Sequence, residues 1–103
     1  MKSINLNQQF KDLDGNDLQG ESMAKTLANV ISNSKLNSNI IKFYDWAITL
    51  HTKGVIDCDN QDHESLVEFV LKTEHLSLAG KAQITKALNE QDKYKGGDNG
   101  IIE

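Results

Sequence analysis

A run of acidic and amide side chains in the middle of the chain could bind a hard cation. Asp57, Asp59 and Gln61 fall at the first, third and fifth positions of an EF-hand-like frame, and Glu68 falls at the twelfth. Oxygen ligands at alternate loop positions are what Ca²⁺ requires. The sixth position, however, holds Asp62 instead of the glycine that the sharp turn of such a loop needs.

Helix capping explains the same carboxylates without a metal. Acidic side chains favour the first turn of a helix, and an aspartate just before that turn can accept from a free backbone N–H. The eighth frame position holds Glu64 where an apolar residue is usual, and Gly54 would end the preceding helix before the loop. We therefore predict no metal and no cofactor. If a cation did bind, Asp57, Asp59 and Glu68 are the residues that this frame would supply as ligands.

A second oxygen-rich cluster surrounds Gly15. It consists of Asp12, Asp14, Asn16 and Asp17. Tight turns need these residue types whether or not a ligand binds, so the cluster predicts a turn.

The remaining candidates for catalysis are the single cysteine and the three histidines. His51, His63 and His75 are not spaced three or four residues apart, and Cys58 alone cannot supply a thiolate zinc site. Cys58 and His63 could form a nucleophile and base, but the sequence offers no third group to orient them. We predict no catalytic residue, and the chain is not expected to be an enzyme.

Composition narrows the class of protein. The chain has 103 residues, 38% hydrophobic and 25% charged, which is typical of one globular domain. Its net charge of −4, with scattered lysines, argues against direct nucleic-acid binding. No stretch resembles a signal peptide or a membrane span, so we expect a cytoplasmic protein that does not bind membranes. The glycine-rich C-terminal end predicts a domain at 1–92 and a flexible tail at 93–103.

The N-terminal segment is predicted to form a β-hairpin. Ile4, Leu6 and Phe10 follow a mostly two-residue period, and Asp14-Gly15 is a strong hairpin-turn signal. The residues at 17–20 would form the return strand. A further short extended segment at 55–59 could touch this hairpin.

Four helices should follow the hairpin, packed around the second, at about 40–50. Ser22 and Ser77 are suitable N-caps for the first and fourth helices, Ser38 or Asn37 for the second, and Asp59 or Asn60 for the third. The fold class is thus α+β and mainly helical. Gly54 should end the second helix in a left-handed conformation.

The second helix is apolar on nearly every side. Its polar residues Lys42, Asp45 and Thr49 form one narrow stripe, so the helix should be covered on its other sides. The aromatic residues of this helix are predicted to be core. Any that remain uncovered would form an interaction surface, for which the candidates are Phe43, Tyr44 and Trp46.

Three segments resemble small uncharacterised proteins encoded by bacteriophages and prophages. They are KTLANVI at 25–31, IKFYDWA at 41–47 and LAGKAQI at 78–84, together with the DLDG motif at 12–15 and the YDWA motif at 44–47. The resemblance covers most of residues 4–88. It implies a phage origin and a non-enzymatic accessory role, but no chemistry.

Two functional hypotheses are favoured over a small enzyme. The first is a protein-binding or assembly factor that contacts a partner or associates with itself. The alternative is an acidic regulatory protein that inhibits or recruits a host enzyme. A continuous acidic stripe from Asp57 to Glu68 would favour this alternative, and scattered acidic residues would favour assembly.

Overall fold

The chain folds into four helices and a two-stranded antiparallel sheet, which confirms the α+β, mainly helical class. The structure is a computed structural model that describes residues 2–96, with the side chains of residues 3–89. The elements are β1 (Lys2–Asn5), α1 (Met23–Ser32), α2 (Ile40–Thr52), β2 (Val55–Cys58), α3 (Asn60–Lys72) and α4 (Leu78–Gly96).

The first strand pairs with a segment far along the chain. β1 lies antiparallel to β2, with Ile4 opposite Ile56 and Ser3 opposite Asp57. The prediction that the return segment at 17–20 would be its partner was wrong, whereas the extended segment at 55–59 was correctly expected to reach this strand. The physical reason is burial: β2 brings Ile56 and Cys58 into the core, while the residues at 11–20 are all exposed.

The predicted turn around Gly15 does form, but without strands on either side. Gly15 has a φ of +89°, and one isolated bridge joins Lys11 to Asp17 across the turn. The Gln83 side chain on α4 holds this loop by two hydrogen bonds, accepting from Lys11 N at 2.8 Å and donating to Lys11 O at 2.9 Å.

The N-cap predicted for α2 was wrong. The helix starts directly after Asn39, so Asn39 and not Ser38 or Asn37 holds the cap position, in a left-handed conformation and without a side-chain capping bond.

The predicted N-caps are confirmed for the other three helices. Ser22 Oγ accepts from the backbone N–H of Lys25 at 3.3 Å, and the Asp59 carboxylate accepts from that of Asp62 at 2.7 Å. Ser77 Oγ accepts from the backbone N–H three residues later at 3.1 Å. Each bond satisfies one of the backbone donors that a helix N-terminus leaves without a partner.

The end of α2 is fixed by a contact with the N-terminal segment. Gly54 follows the helix with a φ of +77°, as predicted, and donates to Thr49 O at 3.1 Å. The Asn7 side-chain amide donates to Lys53 O at 2.9 Å, and Leu6 N donates to Gly54 O at 2.8 Å. The segment after β1 therefore holds the chain in the position from which β2 starts.

The core lies between the sheet and the four helices. α2 packs mainly against α1 and β2, while α3 packs against α4. The prediction that α2 would be covered on nearly every side was wrong, because these neighbours leave one side of it exposed. The largest fully buried side chains are Ile4, Leu6, Leu27, Leu50, Cys58, Leu66, Val70, Ile84 and Leu88.

The last helix extends beyond the predicted boundary between domain and tail. α4 continues to Gly96, so the predicted boundary after residue 92 falls within this helix. The rest of the predicted tail, 97–103, lies outside the described residues.

Candidate interaction surface

The carboxylates of the calcium-like frame lie apart and have other partners. Asp57 is exposed on β2, Asp59 caps α3, and Glu68 accepts from Lys72 Nζ at 2.8 Å. This hydrogen bond and the charge of Lys72 hold the pKa of Glu68 below its ordinary value. Among the described residues, no three acidic, histidine or cysteine side chains come together in a way that could hold a metal ion.

The oxygen cluster around Gly15 serves the turn. One carboxylate oxygen of Asp12 accepts from the backbone N–H groups of Asp14 and Asn16, each at 2.9 Å. Asp17 pairs with Lys11. The cluster therefore makes the side-chain-to-backbone bonds that such a turn needs.

Cys58 and His63 are both buried, and both contribute to the packing of the core. Burial raises the pKa of the Cys58 thiol to about 11, helped by the negative charges of Asp62 and Asp59. A thiol with so high a pKa is protonated at neutral pH and is a poor nucleophile. His63 Nε2 lies 3.2 Å from Leu88 O, and because a carbonyl oxygen can only accept, this nitrogen carries a proton. The bond ties α3 to α4.

The three candidate aromatics of α2 are divided between core and surface. Phe43 and Trp46 are buried and meet edge to face, with ring centroids 4.9 Å apart. Phe43 also packs against Phe69 of α3 at 5.3 Å. Their prediction as core residues is confirmed, and they are therefore not available as a surface. Tyr44 was wrongly expected to be covered, since it is 58% exposed.

Tyr44 lies within a row of exposed isoleucines. Ile40, Ile41 and Ile48 are 57%, 74% and 47% exposed, although each belongs to the helix that the sequence predicts to be central. At about 100° per residue, these four side chains share one side of α2. We call this set (Ile40, Ile41, Tyr44 and Ile48) the α2 apolar face.

Charged side chains are kept off this face. Lys42 points towards α3, where its Nζ donates to Asp62 at 2.6 Å and lies 5.9 Å from the centroid of the Trp46 ring. The hydrogen bond to Asp62 raises the pKa of Lys42 above its ordinary value. Asp45 is exposed at one margin of the face, and His51 is exposed at its C-terminal end, seven residues after Tyr44. The α2 apolar face itself therefore presents three isoleucines and a tyrosine without a charge.

The isoleucines of this face could not be assigned to the surface from sequence. α2 is apolar in almost every direction, and only the positions of its neighbours α1, β2 and α3 decide which direction is buried. The sequence carried one signal of this exposure. The helix has more apolar residues than neighbours on two of its sides can cover.

A groove of about 650 Å³ opens beside the start of α2. The rings of Phe43 and Phe69 line it, together with Lys35, Glu74 and His75. Its lining carries both signs of charge, so it offers no electrostatic preference for one class of ligand.

No protein-family model, curated protein or solved structure matches the chain. Within the described residues, no helix combines the length and the hydrophobicity needed to cross a membrane.

Proposed function

We propose that this protein is a non-enzymatic binding or assembly factor that contacts a protein partner through the α2 apolar face. The observation that carries the proposal is the exposure of Ile40, Ile41, Tyr44 and Ile48 on one side of a single helix. Contiguous exposed apolar surface is characteristic of interaction sites. Burial of that surface by a partner would contribute about 25 cal/mol per Å².

The acidic residues support this proposal over enzyme inhibition by an acidic surface. Asp59 is engaged in capping α3, Asp62 binds Lys42, and Glu68 binds Lys72. These three carboxylates have partners within the fold, whereas Asp57 and Glu64 of the same stretch are exposed. The use of the three within the fold supports binding through the α2 apolar face over binding through an acidic stripe. In keeping with the resemblance in sequence to phage-encoded proteins, we propose that this role is an accessory one and that the protein acts in the cytoplasm.

Site-specific photocrosslinking tests the proposal. A photoreactive phenylalanine analogue at position 44, in the organism that encodes the protein, should form a discrete crosslinked product. The matched control carries the analogue at Ala82, an exposed position on α4. Equal crosslinking at positions 44 and 82, or none at position 44, would contradict the proposal.

A further inference from the structure

The small sheet has an edge at which the backbone has no partner. Among the residues that the structure describes, the sheet consists of β1 and β2 alone. Leu6 N donates to Gly54 O at 2.8 Å, which fixes the register of the two strands. Hydrogen-bonded pairs alternate along an antiparallel ladder. Ile56 therefore bonds to β1, while the N–H and C=O groups of Val55 and Asp57 point away from it.

These outward groups make no hydrogen bond within residues 2–96. Backbone groups that are buried are almost always paired, so unpaired groups face water. The burial of the strand agrees with this, since Ile56 and Cys58 face the core, Val55 is partly exposed and Asp57 is exposed. We call the N–H and C=O groups of Val55 and Asp57 the β2 edge. It presents two donors and two acceptors in the arrangement that pairs with another strand.

We infer that an extended segment of a protein partner adds to the β2 edge as a third strand, with a lysine or arginine side chain opposite Asp57. In strand addition the main-chain hydrogen bonds provide affinity, and the alternate side chains provide specificity. The β2 edge contains no residue of the α2 apolar face. The inference therefore goes beyond the proposed function and does not depend on it.

The charge at this edge determines which side chain fits. Asp57 is exposed and takes part in no ion pair among the described residues, and its neighbour on β1 is the neutral Ser3. Besides burial, the negative charges of Asp62, Asp59 and Asp57 raise the pKa of the Cys58 thiol, so this end of β2 is negative. Oppositely charged side chains that face each other across two strands stabilise the pairing.

A second copy of β2 lacks the complementary charge. The strand reads Val-Ile-Asp-Cys and contains no basic residue. Pairing β2 with itself would therefore bring a second carboxylate to the edge instead of a cation. A short strand with a charged side chain is one of the means by which proteins prevent pairing between identical edges. These features favour a different chain that carries a basic residue.

Amide hydrogen exchange, measured by NMR on the full chain, tests whether the edge is open. The amides of Val55 and Asp57 should exchange rapidly, whereas those of Ile56 and Cys58, which bond to β1, should be protected. Protection of Val55 and Asp57 in the free chain would overturn the inference, because the edge would already be covered. If this protection appeared only as the protein concentration rose, the occupant would be a second copy.

A peptide of about nine residues that alternates threonine and valine around one central lysine is the probe. Added up to about 5 mM, it should shift the amide signals of Val55 and Asp57 in a saturable way and slow their exchange several-fold. The absence of both effects would overturn the inference.

A charge swap tests the position of the basic residue. Asp57→Lys should bind the lysine peptide about threefold or more weakly, and should prefer the same peptide with glutamate in place of lysine. Glu64→Lys is the matched control, since it changes the net charge equally at an exposed site on α3. It should bind both peptides like the wild type. Equal effects of the two substitutions would indicate attraction by net charge alone and refute the inference.

Backbone methylation of the peptide tests the main-chain bonds without altering the protein. A methyl group on the backbone nitrogen of the lysine removes the donor to Asp57 O, so binding should weaken several-fold. The same group on the next residue, whose N–H points away from β2, should leave binding unchanged. Equal binding of the two methylated peptides would show that no third strand forms. None of these readouts involves position 44, so the proposed function stands or falls separately.

Discussion

Gly54 occupies a position where an added methyl group would meet two separate obstacles. Its φ of +77° lies in the left-handed region, and a Cβ there would overlap the side-chain amide of Asn7. The left-handed conformation costs an L residue about 1–2 kcal/mol. Displacing Asn7 breaks its hydrogen bond to Lys53 O, worth about 0.5–1.5 kcal/mol. We expect Gly54→Ala to reduce the free energy of unfolding by about 2–3 kcal/mol.

Gly15 provides the matched control. Its φ is +89°, but no atom lies within 4 Å of an added Cβ, so Gly15→Ala should cost only the conformational part, about 1–2 kcal/mol. Urea denaturation followed by the fluorescence of Trp46, the only tryptophan, measures both variants.

A double-mutant cycle separates the two obstacles at Gly54. In an Asn7→Ala background the overlap is gone, so the additional effect of Gly54→Ala should fall to that of Gly15→Ala. The reasoning is refuted if Gly54→Ala costs no more than Gly15→Ala, or if its effect is the same with and without Asn7.

Three further outcomes are expected. Cys58 should resist alkylation at pH 8 in the native protein and react after unfolding. Because burial raises the pKa of its thiol from 9.0 to about 11, the thiol ionises between these pH values only in the unfolded chain. The free energy of unfolding, measured by urea titration, should therefore fall as the pH rises from 9 to 11. Phe43→Ala should lower the free energy of unfolding by about 3–5 kcal/mol, since it removes a ring packed against both Trp46 and Phe69; a loss below 1 kcal/mol in chemical denaturation would contradict this packing. Asp59→Ala should lower it by about 1 kcal/mol through loss of the α3 cap, while Asp59→Asn should retain most of the stability, and equal losses would show that the cap is not the cause.

The starts of α1, α3 and α4 were predictable because their signals are local. Ser22, Asp59 and Ser77 cap helices in the structure as their residue types indicate, and Gly54 adopts the left-handed conformation expected after α2. Capping depends on residues within one turn of each other, so no knowledge of the tertiary fold is needed.

The pairing of the strands was not predictable from the turn alone. Asp14-Gly15 favours a hairpin, and the chain does reverse there. The segment after it, however, offers only Leu18 for burial, and that residue stays 46% exposed. The competing segment supplies Ile56 and Cys58, which are both buried. Both segments could pair with β1, and the segment that pairs with it is the one whose side chains can be buried in the core.

The candidate site was only partly predictable for a similar reason. The sequence places Tyr44, Phe43 and Trp46 on the same apolar helix. It does not distinguish which of the three is exposed until the positions of the neighbouring elements are known. Which residues of such a helix are exposed depends on its neighbours. The isoleucines of the α2 apolar face emerged only with the structure.

The pairing of β1 with β2 also has a consequence for the order of folding. Residues 2–5 find their partner at 55–58, while α1 and α2, which lie between, are neighbours in sequence and contact each other directly. Because contacts that are close in sequence form with less loss of chain entropy, the helix pair should assemble first. During synthesis on the ribosome, β1 must therefore wait for its partner until residues 55–58 have emerged. Its pairing then closes a segment that the two helices have already shortened.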